Sequence, residues 1–414
     1  MFNLKELINN KDFYLKNLSK KSDFNKKDFN AFIKIYQKYA DNLIIEEQKR
    51  NKLNNLSKKI IGNFNLKNDA KILSNEIKII SDKNKLDLAK IKELVSLFPN
   101  IPLNDVPIGN GEKENIVLKT VEKNNHKKDS LFHLDILKKK NLILEKEAIS
   151  LSGRRHVIYQ NEAALMIFAL ERFMLDFNLQ KKYTMIDCPV IVNERMLYNT
   201  AQLPKFRDEL FELTNKQFLI PTAEVSLTNL VYNKILKKEQ LPLKYFALTN
   251  CFRKEAASAG KDTKGIIRLH QFRKVEIVKI GLKDHSENDF KEMISLIEDL
   301  LDQFEISYRL VNLCSGDLSF ASQKTIDFEI WFPGQKRYRE ISSLSFIGDF
   351  QAKRMNARVL IDQENRQKEF VYTYNGSALA IDRLFAAIVE NYYQKDGSII
   401  VPKALKKYLD FEKF

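Results

Sequence analysis

From Met1 to Phe98 the chain carries no proline and a single glycine, Gly62. Helix breakers are thus missing from its first quarter on both sides of one point. Leu73, Ile77, Ile80, Asn84, Asp87, Ile91, Leu94 and Phe98 alternate spacings of four and three, the seam of a coiled coil. Asn84 and Asp87 put polar groups in the middle of that seam without breaking its period. On the N-terminal side Phe32, Tyr36, Tyr39 and Leu43 begin a matching seam, which Leu53, Leu56 and Ile60 continue after a slip. Gly62-Asn63 between the halves reads as a turn. Residues 1–100 are therefore expected to form one antiparallel helical hairpin, with arms of about 35 residues or ~50 Å at 1.5 Å per residue. A globular helical bundle would need wider apolar faces than these narrow stripes.

The stretch FPNIPLNDVPIG, 98–109, ends the hairpin with three prolines. Residues 101–128 read as a polar linker and 129–414 as a second, larger domain. The net charge is +15, and residues 1–100 hold 21 Lys/Arg against 12 Asp/Glu, a balance that suits a nucleic-acid backbone. The chain is also rich in Lys, Asn and Ile and has only 12 Gly, a bias that an AT-rich genome imposes whatever the function. Charge alone therefore leaves the partner open. Cys188, Cys251 and Cys314 lie far apart, with neither metal-ligand nor paired-disulfide spacing. The N-terminus lacks an apolar signal region, and no apolar run reaches the ~18 residues of a membrane span. A cytoplasmic protein with no membrane contact is expected.

Beyond the linker, short β-rich runs alternate with amphipathic helices without a regular βαβ rhythm. Strands are expected at 217–220, 245–249, 266–279, 308–313, 325–332, 337–344 and 368–374, and helices at 161–178, 223–237, 286–304 and 378–393. The pattern predicts an α+β domain around a mostly antiparallel sheet.

The richest chemistry lies in CFRKEAASAGKDTKGIIRLHQFRKVEIV, 251–278. Two strand-like segments flank a small-residue, basic loop containing Lys261, Asp262, Lys264 and Arg268. Period-two alternation predicts Arg253 and Glu255 on one face, and Phe272, Lys274 and Glu276 on one face of the returning strand. A guanidinium can grip phosphate oxygens in bidentate fashion, a ring can stack on a base, and a buried carboxylate suits an ammonium or a hydroxyl. Together these residues fit a nucleotide and an amino acid. His270 reads as a hydrogen-bonded structural residue. His126, His133, His156 and His285 are scattered and form no zinc constellation.

This stretch resembles motif 2 of the class II aminoacyl-tRNA synthetases in the form used by the seryl-tRNA synthetase family. The resemblance runs along nearly the whole chain: LYNTAQLPKFRDELF (197–211), LIPTAEVSLTNL (219–230), VNLCSGDLSFASQKTIDFEIW (311–331), YREISSLSFIGDFQAKRMNAR (338–358) and YTYNGSALAIDRLF (372–385) are similar to further blocks of that family. It implies a class II catalytic domain that ligates L-serine to tRNA(Ser) through a seryl-adenylate, with ATP as substrate, Mg2+ and no zinc. It also implies service to tRNA(Sec), and a homodimer formed around motif 1, which we place at helix 161–178 and the strand through Pro189. The hairpin would be the tRNA-binding arm.

By the same resemblance, Thr222, Ala223, Glu224, Arg253, Glu276, Asn375 and Ser377 hold serine, with Glu224 suited to the ammonium. Arg253, Lys254, Glu255, Phe272, Glu340, Ile341, Ser342, Ser343 and Arg383 hold ATP. Phe272 would stack on adenine, Arg253 grip the α-phosphate, Arg383 the γ-phosphate, and Glu340 a Mg2+. Arg253, Glu340 and Arg383 would be the catalytic group. Singly, each has an ordinary structural explanation; it is their joint spacing that points to a site.

Several positions depart from the family pattern. Asn199, Ala201, Ala257, Ala378 and Asp382 stand where glycine is usual, and Leu344 and Phe346 replace the usual Cys and Asn. Ala378 and Asp382 would flank the ATP side. Three rival readings are a synthetase-derived binding protein without ligase activity, a ligase that loads a carrier protein, and a coiled-coil structural protein, which explains only the first quarter of the chain.

Overall fold

The computed structural model describes residues 2–58, 64–123, 127–256, 265–362 and 364–414. The expected turn at Gly62-Asn63, and His126, Ala257, Lys261, Asp262 and Lys264, lie outside the described residues. Contacts divide the chain into two units, Met1–Pro99 and Asn100–Phe414.

In the first unit, two short helices, α1 (Leu4–Asn9) and α2 (Lys11–Leu18), precede two long ones, α3 (Lys26–Ser57) and α4 (Phe64–Ser96). Asn3 and Asn25 start α1 and α3 by accepting backbone N–H bonds from Lys5 and Lys27. The root of the hairpin is aromatic: the rings of Phe29 and Phe32 lie 5.5 and 5.8 Å from that of Phe98. On α4 the seam runs as expected, through buried Leu73, Ile77, Asn84 and Ile91.

On α3 it differs. Leu43 is 41% exposed, and the inward face passes instead to Glu46, which is buried. Glu46 accepts a 2.7 Å bond from Asn84 Nδ2 and pairs with Arg50 at 2.6 Å. The polar middle of one arm thus meets a polar middle of the other.

In the second unit an eight-stranded sheet is built from β1 (Ile116–Val121), β2 (Thr184–Met185), β3 (Leu243–Phe252), β4 (Gln271–Gly281), β5 (Tyr308–Asn312), β6 (Lys324–Phe332), β7 (Arg337–Gly348) and β8 (Tyr372–Ala380). Its order is β1-β5-β6-β7-β8-β4-β3-β2, antiparallel except for the pair β2–β3. The α+β architecture is as expected. The segment 101–128, however, is not simply a linker, because β1 within it pairs with β5 and adds an edge strand.

Helices α5 (Asn161–Gln180), α6 (Ser286–Asp302) and α7 (Ile381–Tyr392) share a core with Val275 and Ile277 of β4, whereas Val278 and Ile280 belong to a second cluster with Ala247 of β3. Alternation along β4 thus assigns the two clusters to opposite sheet faces.

Two helix boundaries move. The expected helix 223–237 is only Glu224–Thr228: Asn229 Nδ2 turns back to Val225 O and Met196 O, and Ile235–Lys237 joins a small separate sheet. Residues 378–380 extend β8 instead of opening α7, because Ala380 still pairs with Lys274. No helix among the described residues is long and apolar enough to cross a membrane.

Candidate active site

On the sheet face that carries Val278 and Ile280, β4 also presents Lys274 and Glu276, the same parity two and four residues earlier. A cleft of about 590 Å³ opens there, lined by Thr222, Glu224, Arg253, Glu255, Lys274, Glu276, Glu340, Ser343, Ser345, Asn375 and Ser377. A smaller lobe of about 50 Å³ continues between Arg253, Glu255, Arg268, Phe272, Glu340, Ile341 and Arg383. Most of the residues singled out in the sequence therefore meet in one place.

Three do not line it. Ala223 is fully buried in the second core cluster. Lys254 lies with Nζ 5.9 Å from the Phe211 ring centroid. Ser342 is buried and donates its hydroxyl to Ser377 O at 2.6 Å. A bulge between Glu340 and Ser342 shifts the alternation of β7, so Ser343 and Ser345 take the cleft side.

The expectation that Arg253 and Glu255 share a strand face is also corrected. The strand ends at Phe252, and Glu255 sits at φ +52°, a left-handed turn that still brings both side chains to the cleft.

The floor of the larger lobe is acidic. Glu276 is 1% exposed and Glu224 6%, depths at which a carboxylate needs partners. Glu276 pairs with Lys274 Nζ at 2.5 Å and accepts from Asn375 Nδ2 at 3.2 Å. Lys274 Nζ also donates to Thr222 Oγ1 at 3.1 Å. Glu224 accepts from Gln351 Nε2 at 2.6 Å. Burial first, then repulsion from Glu276, pushes the Glu224 carboxyl up to about 7.

The smaller lobe is cationic and aromatic. The Arg253 guanidinium lies 5.3 Å from the Phe272 ring centroid, and its Nε donates to Pro221 O. Arg383 is braced by Ile267 O and Glu340 O and pairs with the Glu340 carboxylate at 3.4 Å. Arg268 reaches Glu255 at 3.1 Å. Partial burial raises the Glu340 carboxyl, but the charges of Arg383 and then Arg253 outweigh it and hold that group below its ordinary value. Asp327, opposite Ser343 in the ladder, is driven well up by burial and by Glu340.

Asp382 lines the smaller lobe, as expected. Its oxygens accept from Tyr159 Oη at 2.7 Å and from the Arg273 N–H at 2.8 Å, which ties the carboxylate off. Leu344 and Phe346 point to the opposite face and join the helix-covered core. Gln351 and Asp327 were missed by sequence reasoning. Lys274 was seen on the strand face but given no task.

Residues 206–392 match the model of the tRNA synthetase class II core domain (G, H, P, S and T), so the sheet and its cleft are those of a class II aminoacyl-tRNA synthetase. The serine–tRNA ligase of Mycoplasma mobile is 43% identical over the whole of both chains. That of Ureaplasma urealyticum is 44% identical over 89% of this chain and 90% of its own. Among solved structures, the seryl-tRNA synthetase of Pyrococcus horikoshii complexed with ATP superposes with a TM-score of 0.93 at 30% identity, covering 100% and 99% of the two chains. The cytoplasmic serine–tRNA ligase of Naegleria fowleri in complex with AMP gives 0.85 at 28% identity over 96% and 94%. The chain belongs to the serine–tRNA ligase family.

Proposed function

We propose that the chain activates L-serine with ATP and transfers it to tRNA(Ser), serves tRNA(Sec) as well, and works as a cytoplasmic homodimer. The observation that carries this reading is the joining of two lobes in one cleft: a buried acidic floor beside an arginine–phenylalanine pair. In the first step the serine carboxylate attacks the α-phosphorus, the bond to the bridging oxygen breaks, and pyrophosphate leaves. In the second, the terminal hydroxyl of the tRNA attacks the acyl carbon and AMP leaves.

Glu224 would receive the serine ammonium. Glu276, braced by Lys274 and Asn375, would accept the serine hydroxyl proton in a hydrogen bond, with Thr222 and Ser377 closing the pocket. Arg253 would neutralise charge growing on the α-phosphate, Phe272 would stack on adenine, Glu255 would face its edge, and Arg383 would hold the γ-phosphate. No side chain need act as a covalent nucleophile, because positioning and electrostatics suffice for this chemistry.

The donors at the mouth of the cleft suit Mg2+. Glu340 is half-exposed, its carboxyl is held low, and Ser343 lines the same cleft, so the set offers hard oxygens at a solvent edge. Among the described residues no group of three or more His, Cys, Asp or Glu is placed to hold a metal ion. Mg2+ bound there would supply charge neutralisation on those phosphates. Leu165 and Phe168 of α5, 52% and 61% exposed, support a dimer face along that helix.

The test is amino-acid-dependent ATP–pyrophosphate exchange with serine, alanine, threonine, cysteine and glycine. Exchange with serine alone is expected. A pocket that hydrogen-bonds the hydroxyl rejects alanine strongly, because its buried polar groups would be left unpaired. No exchange by folded protein that still binds tRNA would favour the binding-protein reading, and exchange with another amino acid would reassign the substrate.

A further inference from the structure

Gln351, in the short helix Phe350–Met355, is 1% exposed and lies at the back of the cleft. Every polar atom of its amide has a partner. Nε2 donates to Glu224 Oε1 at 2.6 Å and to Thr200 O at 3.3 Å, and Oε1 accepts from Thr373 Oγ1 at 2.8 Å. Thr200 and Thr373 are themselves buried. A backbone carbonyl on one side and a hydroxyl on the other fix which way the amide faces. The donor toward Glu224 is therefore present whether or not Glu224 carries a proton.

We propose that Gln351, locked by Thr373 and the Thr200 carbonyl, is a positioning residue for Glu224: it fixes one carboxylate oxygen and so aims that side chain at the incoming ammonium. The inference rests on the reading that Glu224 receives the serine ammonium. The groups that face Glu224 do not all help it ionise. Glu276 opposes its charge, while Lys274 and Arg253 favour it. Burial raises its carboxyl most, and the Gln351 bond works against that rise. Without the donor, the carboxyl would be more loosely aimed and more readily protonated.

The experiment measures serine-dependent pyrophosphate exchange by the full-length protein between about pH 6 and about pH 9 for wild type, Gln351→Met, Thr373→Val and Glu224→Gln. Gln351→Met keeps the shape and removes the donor. It is expected to raise KM for serine about tenfold near pH 7, to leave KM for ATP and kcat within about twofold, and to move the acid limb of kcat/KM for serine up by about one pH unit. Much of the loss should return at the alkaline end. Thr373→Val, nearly isosteric, should move the same parameters in the same direction by about two- to threefold, and it decides the matter should Gln351→Met fail to fold.

An unchanged serine KM, or a loss that is independent of pH and shared by ATP, overturns the proposal. Glu224→Gln separates the two levels. If Glu224→Gln abolishes serine use while Gln351→Met and Thr373→Val are normal, only the positioning role falls. If Glu224→Gln leaves serine KM unchanged, the assignment of the ammonium site falls, and the positioning role with it.

Discussion

At the scale of single residues the cleft holds a group that works against the fold. The folded chain raises the Glu224 carboxyl from 4.5 to about 7, so between those pH values it keeps a proton that the unfolded chain has released. Stability therefore falls as pH climbs through that window and levels off above it, by about 3 kcal/mol for a shift of this size. Glu224→Gln is expected to raise the melting temperature at pH 8, to show a smaller gain near pH 5, and to lose serine activation. Equal gains at both pH values would show that Glu224 is not held protonated.

Ala201 offers a second case. It is buried at φ +67°, where a Cβ is strained, in a position the sequence had marked as usually glycine. Ala201→Gly should stabilise by up to about 1 kcal/mol, read from denaturant unfolding. Charged and aromatic members of the cleft were legible because their spacings are rigid. Gln351 was not, since it stands 127 residues from Glu224 and has no local pattern of its own. Asp382 flanks the nucleotide lobe as expected, but its partners, Tyr159 and the Arg273 backbone, lie far away in sequence and could not be read from the position alone.

At the scale of elements, period and composition identified the long helices and most strands, and failed where side chains compete with backbone. Asn229 folded back on its own helix and shortened it, and a bulge in β7 kept Ser343 at the cleft while turning Ser342 away from it. Both are decided by pairings that a linear pattern does not contain.

The hairpin shows the same limit, since Leu43 fits the period but the polar pair Glu46–Asn84 takes the interior. A polar layer in such a seam fixes register at a cost in stability. Asn84→Leu alone, which strips Glu46 of a donor, should destabilise the helices by about 1–3 kcal/mol. Glu46→Leu combined with Asn84→Leu should be neutral or more stable than wild type by about 1–4 kcal/mol. Helical melting followed by circular dichroism checks both, and a double variant less stable than the single one would contradict this account.

At the scale of the whole molecule the two units rest on different kinds of interior. The first is a narrow seam with an aromatic root, the second a sheet with clusters on both faces. Removing residues 37–90 with a short glycine bridge, which spares Phe29, Phe32 and Phe98, should abolish tRNA charging and leave serine-dependent pyrophosphate exchange within about twofold. Intact charging by this variant would remove the hairpin from tRNA recognition. In the full chain, charging should weaken steeply with added salt, as contacts to phosphates through Lys and Arg require.

The unequal interiors also bear on heat. A seam interrupted by carboxylate and amide has little to lose before it frays, while the sheet beneath the cleft carries a buried cluster on each face. On the proposed two-step reading, with the hairpin as the tRNA-binding element, mild warming should therefore open an interval in which serine is still converted to its adenylate but is no longer passed to tRNA. Heat would then uncouple the two proposed half-reactions, seryl transfer failing before serine activation.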